Sequence, residues 1–251
     1  MKAEIETKLG EIESAEHVRV LLAVESGSRA WGFASPDSDW DVRFIYVRRL
    51  DDYLTIRPRR DVIEKMDGDL DFAGWDLPNA LCLFQKSNPA LIEWLDSPIV
   101  YRADEAFLRR IQALVPRVVS LDAGLQHYRS MAASTYRNYF GEDIVQLKKY
   151  LYVLRPLLAG LHIEHFNKWP PTLFGSILGQ AELEPNVRKG IDALLAAKSE
   201  TAELGRRARF PVLDSFIEAN LERLAGKRLL KQHDQAPIEE LDAIFRHFAK
   251  G

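Results

Sequence analysis

The sequence predicts an α+β fold, a mixed-sheet domain followed by an α-helical domain. Two observations predict it. Up to about residue 103, apolar runs of strand length alternate with helical stretches, and from about Asp104 onward almost every segment carries a helical period. The expected organisation is a domain over 1–103 and a second over 104–251, sharing a cleft.

In order along the chain, Ile5, Leu9 and Ile12 recur at helical spacing and predict a short amphipathic helix. The apolar run Val18 to Val24 reads as the first strand. Ser26 to Ser28 form a turn, and Arg29 to Phe33 a short helix that Ser35-Pro36-Asp37 ends. Val42 to Val47 is the second strand. Asp51 to Arg60 is a polar connection that carries Pro58 and three arginines. Asp61 to Met66 and Leu70 to Phe72 are short strands on either side of the turn-forming pair Asp67-Gly68.

From Asp76 the period changes. Leu77, Ala80, Leu81 and Phe84 share one helical face, with Asp76 as the expected N-cap and Pro78 in the first turn. Asn88-Pro89 starts another helix in the same way, through Trp94, and Asp96-Ser97-Pro98 ends it. Leu121 to Phe140 and Asp143 to Ala159 are long amphipathic helices, the second with an expected kink at Pro156. Trp169-Pro170-Pro171 is a stiff loop. Val187 to Leu204, Val212 to Leu224 and Pro237 to Phe248 complete the helical half.

The 251 residues are 47% hydrophobic and 28% charged, which excludes disorder as the main state. A net charge of -3 gives no global basic field for indiscriminate nucleic-acid binding. The single cysteine, Cys82, excludes an intrachain disulfide and is expected as a buried helix residue in a reducing compartment. With no signal-like N-terminus and no run of membrane-spanning length, the expected location is the cytoplasm.

The chemistry concentrates in residues 25–41. A strand ending in Gly27-Ser28 presents backbone N–H groups and a hydroxyl to a phosphate. Asp39 and Asp41 follow, two apart at the head of a strand, which places their side chains on one face with Cα atoms roughly 6.5–7 Å apart. That span lets two carboxylates hold metal ions about 3.5–4 Å from one another. As an isolated Asp-x-Asp this would be an ordinary polar turn; the Gly-Ser turn before it and the apolar strand after it favour catalysis. A third carboxylate, needed to activate a hydroxyl nucleophile, should lie on a neighbouring strand. Asp71 is the choice, with Asp69 in reserve.

Gly27-Ser28, then Asp39-Trp-Asp41, then a separate acidic strand resemble the nucleotidyltransferase fold of the DNA polymerase beta superfamily. The segments Glu25-Ser-Gly-Ser-Arg-Ala-Trp-Gly-Phe33, Ser38-Asp-Trp-Asp-Val-Arg-Phe-Ile-Tyr46, Gly74-Trp-Asp-Leu77, Ser87-Asn-Pro89, Glu93-Trp-Leu-Asp-Ser-Pro-Ile-Val-Tyr101 and Lys148-Lys-Tyr-Leu-Tyr-Val-Leu-Arg-Pro156 resemble, more narrowly, a bacterial and phage branch associated with RNA repair. The resemblance implies magnesium-dependent transfer of a nucleoside monophosphate from a nucleoside triphosphate to a hydroxyl, with release of pyrophosphate. It implies two Mg2+ ions, with Mn2+ as a possible substitute, held by Asp39, Asp41 and Asp71. Gly27 and Ser28 would hold the triphosphate, and an RNA end would be the acceptor. Two alternatives stay open: nucleotidylation of an aminoglycoside-like small molecule or a protein side chain, and a nucleotide-binding regulatory module without turnover.

Further residues carry paired readings. Arg43 shares the strand face of the aspartates and either contacts phosphate or makes an ion pair beside them. Lys148, Tyr152 and Arg155 share a helix face and read either as a nucleotide-binding wall or as a solvated surface. His162 and His165 lack further ligands, so no zinc site is expected. Trp75 and Trp94 are expected core anchors, Trp31 either packs or lines the nucleotide pocket, and Arg206-Arg-Ala-Arg209 reads either as a contact to a polyanion or, by preference, as a solvated linker.

Overall fold

The computed structural model describes residues 1–57, 59–200, 205–229 and 237–250. Its first elements are α1 (Lys2–Glu16), β1 (Val18–Glu25), α2 (Gly27–Ala30), β2 (Trp40–Arg48), α3 (Leu50–Tyr53), β3 (Val62–Asp67), β4 (Leu70–Asp76), α4 (Leu77–Gln85), α5 (Pro89–Leu95) and β5 (Val100–Ala103). There follow α6 (Glu105–Val118), α7 (Leu121–Tyr139), β6 (Ile144–Gln146), α8 (Leu147–Phe166), α9 (Phe174–Gln180), α10 (Pro185–Glu200), β7 (Arg206–Ala208), α11 (Pro211–Leu224) and α12 (Ile238–Ala249). The fold class is α+β as the sequence predicts. Pro58 in the expected connection and residues 201–204 of the expected Val187 to Leu204 helix lie outside the described residues.

Two compact units emerge. The first comprises Met1–Ala30, Asp39–Val119 and His233–Gly251; the second comprises Trp31–Ser38 and Ser120–Gln232. The expected boundary at 103/104 therefore falls inside the first unit. α6 and α12 contact the sheet strands β1 and β2, so their apolar faces belong to that core and not to the helical one.

The first unit is built on a five-stranded sheet in the order β3-β4-β2-β1-β5. β1 pairs antiparallel with β2 and β5, β3 pairs antiparallel with β4, and β2 runs parallel to β4. Ile5, Leu9 and Ile12 of α1 pack with Val20, Ala23, Phe44, Tyr46 and Phe72 of the sheet. The last six residues of β1 are all buried, as expected of a strand covered on both faces. β4 is longer than the predicted Leu70 to Phe72, since its pairing with β2 and β3 continues through Trp75. A Cβ on Gly74 would stand 2.2 Å from the Phe44 ring, so glycine, ordinarily a poor strand former, is what lets the Phe44 side chain lie on the strand.

The second unit gathers α7 to α11 around α8, whose side chains are buried on nearly every face between Leu147 and Ile163. α8 runs unbroken through Pro156, and a short β6–β7 pair occupies segments expected to be helix and linker. Arg209, just after β7, pairs with Asp214 at 3.0 Å, and Tyr150 donates to that buried aspartate at 2.8 Å.

Other expectations change with the packing. Cys82 is exposed, because the buried face of α4 is Leu77, Ala80, Leu81 and Phe84. Asp76 stands at the N-cap of α4 but makes no side-chain cap bond; its carboxylate instead accepts from the Tyr53 hydroxyl. Asn88 does cap α5, accepting from the Leu91 amide at 3.2 Å. Trp75 and Trp94 stack at 3.9 Å between ring centroids.

Candidate active site

The head of β2 is gripped by the three residues that end β1 and open α2. The Asp41 amide donates to a Glu25 carboxylate oxygen at 2.9 Å, and the Asp41 carbonyl accepts from the Ser26 amide at 2.8 Å. Gly27 has a φ of +58°, and a Cβ on it would stand 2.0 Å from the Asp41 carboxylate. Only glycine satisfies both demands. Ser28, next in the turn, is buried.

Asp41 and Asp71 are register partners on the parallel strands β2 and β4. Their carboxylates converge on one nitrogen of Arg43: Nη2 donates to Asp41 Oδ1 at 2.9 Å and to Asp71 Oδ2 at 2.8 Å, while Nη1 donates to the Asp71 carbonyl at 2.8 Å. Burial pushes the Asp41 carboxyl above its usual range; Arg43 pulls it back, and Asp71 and Asp39 push it further up. Asp39 immediately precedes β2 and is exposed, with its carbonyl accepting from Arg29 Nε at 3.1 Å. The Arg29 guanidinium lies 3.7 Å from the Trp40 ring centroid. Asp69 is an exposed turn residue whose carbonyl accepts from the Trp40 amide at 2.8 Å.

Carboxylates are hard oxygen donors of the kind Mg2+ takes, and two of them already converge on a cationic group. The donor chemistry thus fits a divalent cation. Among the described residues, though, no three carboxylate, histidine or cysteine groups are gathered closely enough to hold one as they stand. Arg43 Nη2 takes the point of convergence of Asp41 and Asp71.

Lys148, Tyr152 and Arg155 belong to the second unit. The Tyr152 ring meets Trp31 and Phe33 edge-on, with centroids 6.0 and 6.4 Å apart. Arg155 is 2% exposed, lies 4.2 Å from the Trp31 centroid and donates to the Thr172 carbonyl at 3.3 Å, so its guanidinium is engaged inside the helical core. Trp31 packs on that core as well.

Sequence reasoning missed Lys198. It is 5% exposed on α10, and its ammonium lies 5.0 Å from the Phe33 centroid and 5.6 Å from that of Tyr152. Among the described residues no carboxylate stands within ion-pair distance of it. Burial holds the Lys198 ammonium below the usual lysine range; Lys148 repels it further, against a smaller opposing pull from Asp37. No sequence pattern marks it, since it is one lysine on an ordinary amphipathic helix. His162, buried and packed 4.7 Å from the Phe166 ring, is likewise held below its usual range by burial.

A parallel strand pair with facing aspartates, the first of them gripped by a Gly-Ser turn, is the arrangement expected of a polymerase beta-like nucleotidyltransferase. The chain matches the model of the RNA repair pathway DNA polymerase beta family, RlaP, over residues 1–247, and it belongs to that family. It is 42% identical over 246 residues to a Bacillus subtilis (strain 168) protein, "Uncharacterized protein YcgL", covering 97% of this chain and 95% of the relative. A solved nucleotidyltransferase-like protein from Exiguobacterium sibiricum 255-15 is 15% identical with a TM-score of 0.31, over 99% of this chain and 78% of the other. At that score the structural likeness carries no weight. The family supports a transferase and implies a nucleoside triphosphate substrate. Among the described residues no helix is long and apolar enough to cross a membrane.

Proposed function

We propose that this protein transfers a nucleoside monophosphate from a nucleoside triphosphate to the 3′ hydroxyl of an RNA and releases pyrophosphate. The observation that carries this reading is the in-register pair Asp41 and Asp71, with Gly27 seated against Asp41. Support for RNA as acceptor comes from the family, whose description names an RNA repair pathway.

In this reading Gly27 and Ser28 hold the triphosphate through backbone N–H groups and the serine hydroxyl. Mg2+ ions held by Asp39, Asp41 and Asp71 would neutralise phosphate charge and stabilise the attacking and leaving oxygens, with Mn2+ able to substitute. Arg43 then gives up the point where the carboxylates meet and turns towards phosphate. The hydroxyl oxygen bonds to the α-phosphorus, the bond to pyrophosphate breaks, and the hydroxyl proton passes to the Asp71 carboxylate. To the helical unit we assign a share in binding nucleotide or RNA: Lys148 and Lys198 offer charge to phosphate, and Tyr152 offers a ring face. Arg155 supports Trp31.

The test is incubation with each labelled nucleoside triphosphate, Mg2+, and a panel of RNAs, DNAs and aminoglycosides. Label on RNA is expected, lost by at least about 10²–10³-fold in D39N while the far-UV spectrum stays unchanged. Label on an aminoglycoside alone, or undiminished transfer by D39N, would overturn the assignment.

A further inference from the structure

β1 is an apolar strand, Val18-Arg-Val-Leu-Leu-Ala-Val, yet it ends in a glutamate that is wholly buried. A buried carboxylate costs several kcal/mol unless its oxygens are satisfied, and here both oxygens have partners. One accepts the Asp41 amide at 2.9 Å; the other accepts the hydroxyl of Tyr101, itself buried on β5. The main chain of Glu25 is fixed as well: its amide donates to the Ile99 carbonyl at 2.9 Å, and its carbonyl accepts the Ser97 hydroxyl at 2.6 Å. With the Ser26 amide on the Asp41 carbonyl, both main-chain polar groups of Asp41 are held by the Glu25-Ser26 pair.

We infer that Glu25 is a positioning residue: through its hydrogen bond to the Asp41 amide, backed by Tyr101, it fixes the Asp41 carboxylate for binding a divalent cation. This rests on the reading of Asp41 as a metal-holding group. The chemical reason is geometric. Asp41 lies one residue inside the strand end, where a ladder frays most easily. Glu25 ties that end through a side chain to β1 and, by way of Tyr101, to β5. An apolar residue would fill the same space without the tie.

The experiment titrates Mn2+ into the full-length protein without nucleotide, reading free Mn2+ by electron paramagnetic resonance, and measures nucleotide transfer and Tm in parallel. E25L is expected to weaken Mn2+ binding by about tenfold or more, the usual effect of losing a group that orients a metal ligand. E25Q, whose amide oxygen still accepts from Asp41 and whose NH2 donates to the Tyr101 oxygen, should stay within about threefold of the parent, and Y101F should fall between. A purely structural role would lower Tm in E25L and leave Mn2+ affinity in the folded protein unchanged; that result overturns the inference. Should E25L fail to fold, a Y101F variant with parental Mn2+ affinity overturns it equally, and so does a parent protein that binds no Mn2+. A parent that binds Mn2+ but transfers no nucleotide defeats the proposed reaction instead, and leaves Glu25 to be judged by the affinities.

Discussion

The sheet unit and the helical unit present charge by opposite means. At the head of β2 and β4, acidic groups are set by backbone register: Asp41 faces Asp71 because the strands pair in parallel there, and Gly27 leaves room for the carboxylate. In the helical unit a lysine is placed by packing, set against the Phe33 and Tyr152 rings with Lys148 nearby. Register fixes a charge through many cooperative backbone bonds, with Gly27 and Glu25 holding the strand end where that ladder begins. Packing fixes a charge at the cost of desolvation, which leaves that charge in want of an anion.

The sharpest way to break this contrast is G27A. A methyl group there meets the Asp41 carboxylate at 2.0 Å in a left-handed backbone, so transfer should drop by roughly 10²-fold or more, as expected when reacting groups are displaced by an ångström. Steady-state kinetics checks it. A G27A enzyme of parental activity would show that the carboxylates do not depend on this contact.

K198M tests the other side. Half-saturating nucleoside triphosphate should rise about tenfold, the loss of one charge-assisted contact of roughly 1.5 kcal/mol, with kcat little changed. The parent should also show a pH dependence that K198M lacks. Because burial lowers the folded-state lysine range, the free protein gains stability as pH rises from that lowered range towards the ordinary lysine value. An anion favours the charged form, so triphosphate binding takes up a proton and is strongest below the lowered range, weakening as pH rises through it. Affinity profiles of parent and K198M that superimpose would remove Lys198 from binding.

R155K sharpens the comparison most gently. With Arg155 engaged on Trp31 and Thr172, the change should destabilise the helical unit by about 2 kcal/mol and leave kcat and half-saturation within about twofold. Denaturant melts read the first effect, and kinetics the second. A selective loss of nucleotide affinity would return Arg155 to the binding wall.

The candidate site was unevenly legible. Asp39, Asp41 and the Gly-Ser turn stand close together in the chain, between two apolar runs, and local pattern reveals them. Asp71 could be chosen because a short acidic strand was visible, although only pairing of β4 with β2 makes it the partner of Asp41 and sets Asp69 aside in the turn. Arg43 was placed on the right face, while its bridge between the two carboxylates depends on the neighbouring strand. Glu25 was read within a motif, but its burial against Tyr101 joins residues 76 apart in sequence. The exposure of Cys82 and the burial of Arg155 and Lys198 escape the sequence for one reason: helical period tells which residues share a face, not which face a neighbour covers.

By itself the sequence determined the α+β class, the strand–turn–strand around residues 18–47, the two aspartates and the family they resemble, because these depend on periodicity and on residues adjacent in the chain. The tertiary structure alone decided that α6 and α12 join the sheet, that Asp71 meets Asp41 on Arg43, and that Glu25 and Lys198 are buried charges. Those outcomes follow from strand pairing and desolvation between distant segments, and burial energy is a property of neighbours that a linear pattern does not carry.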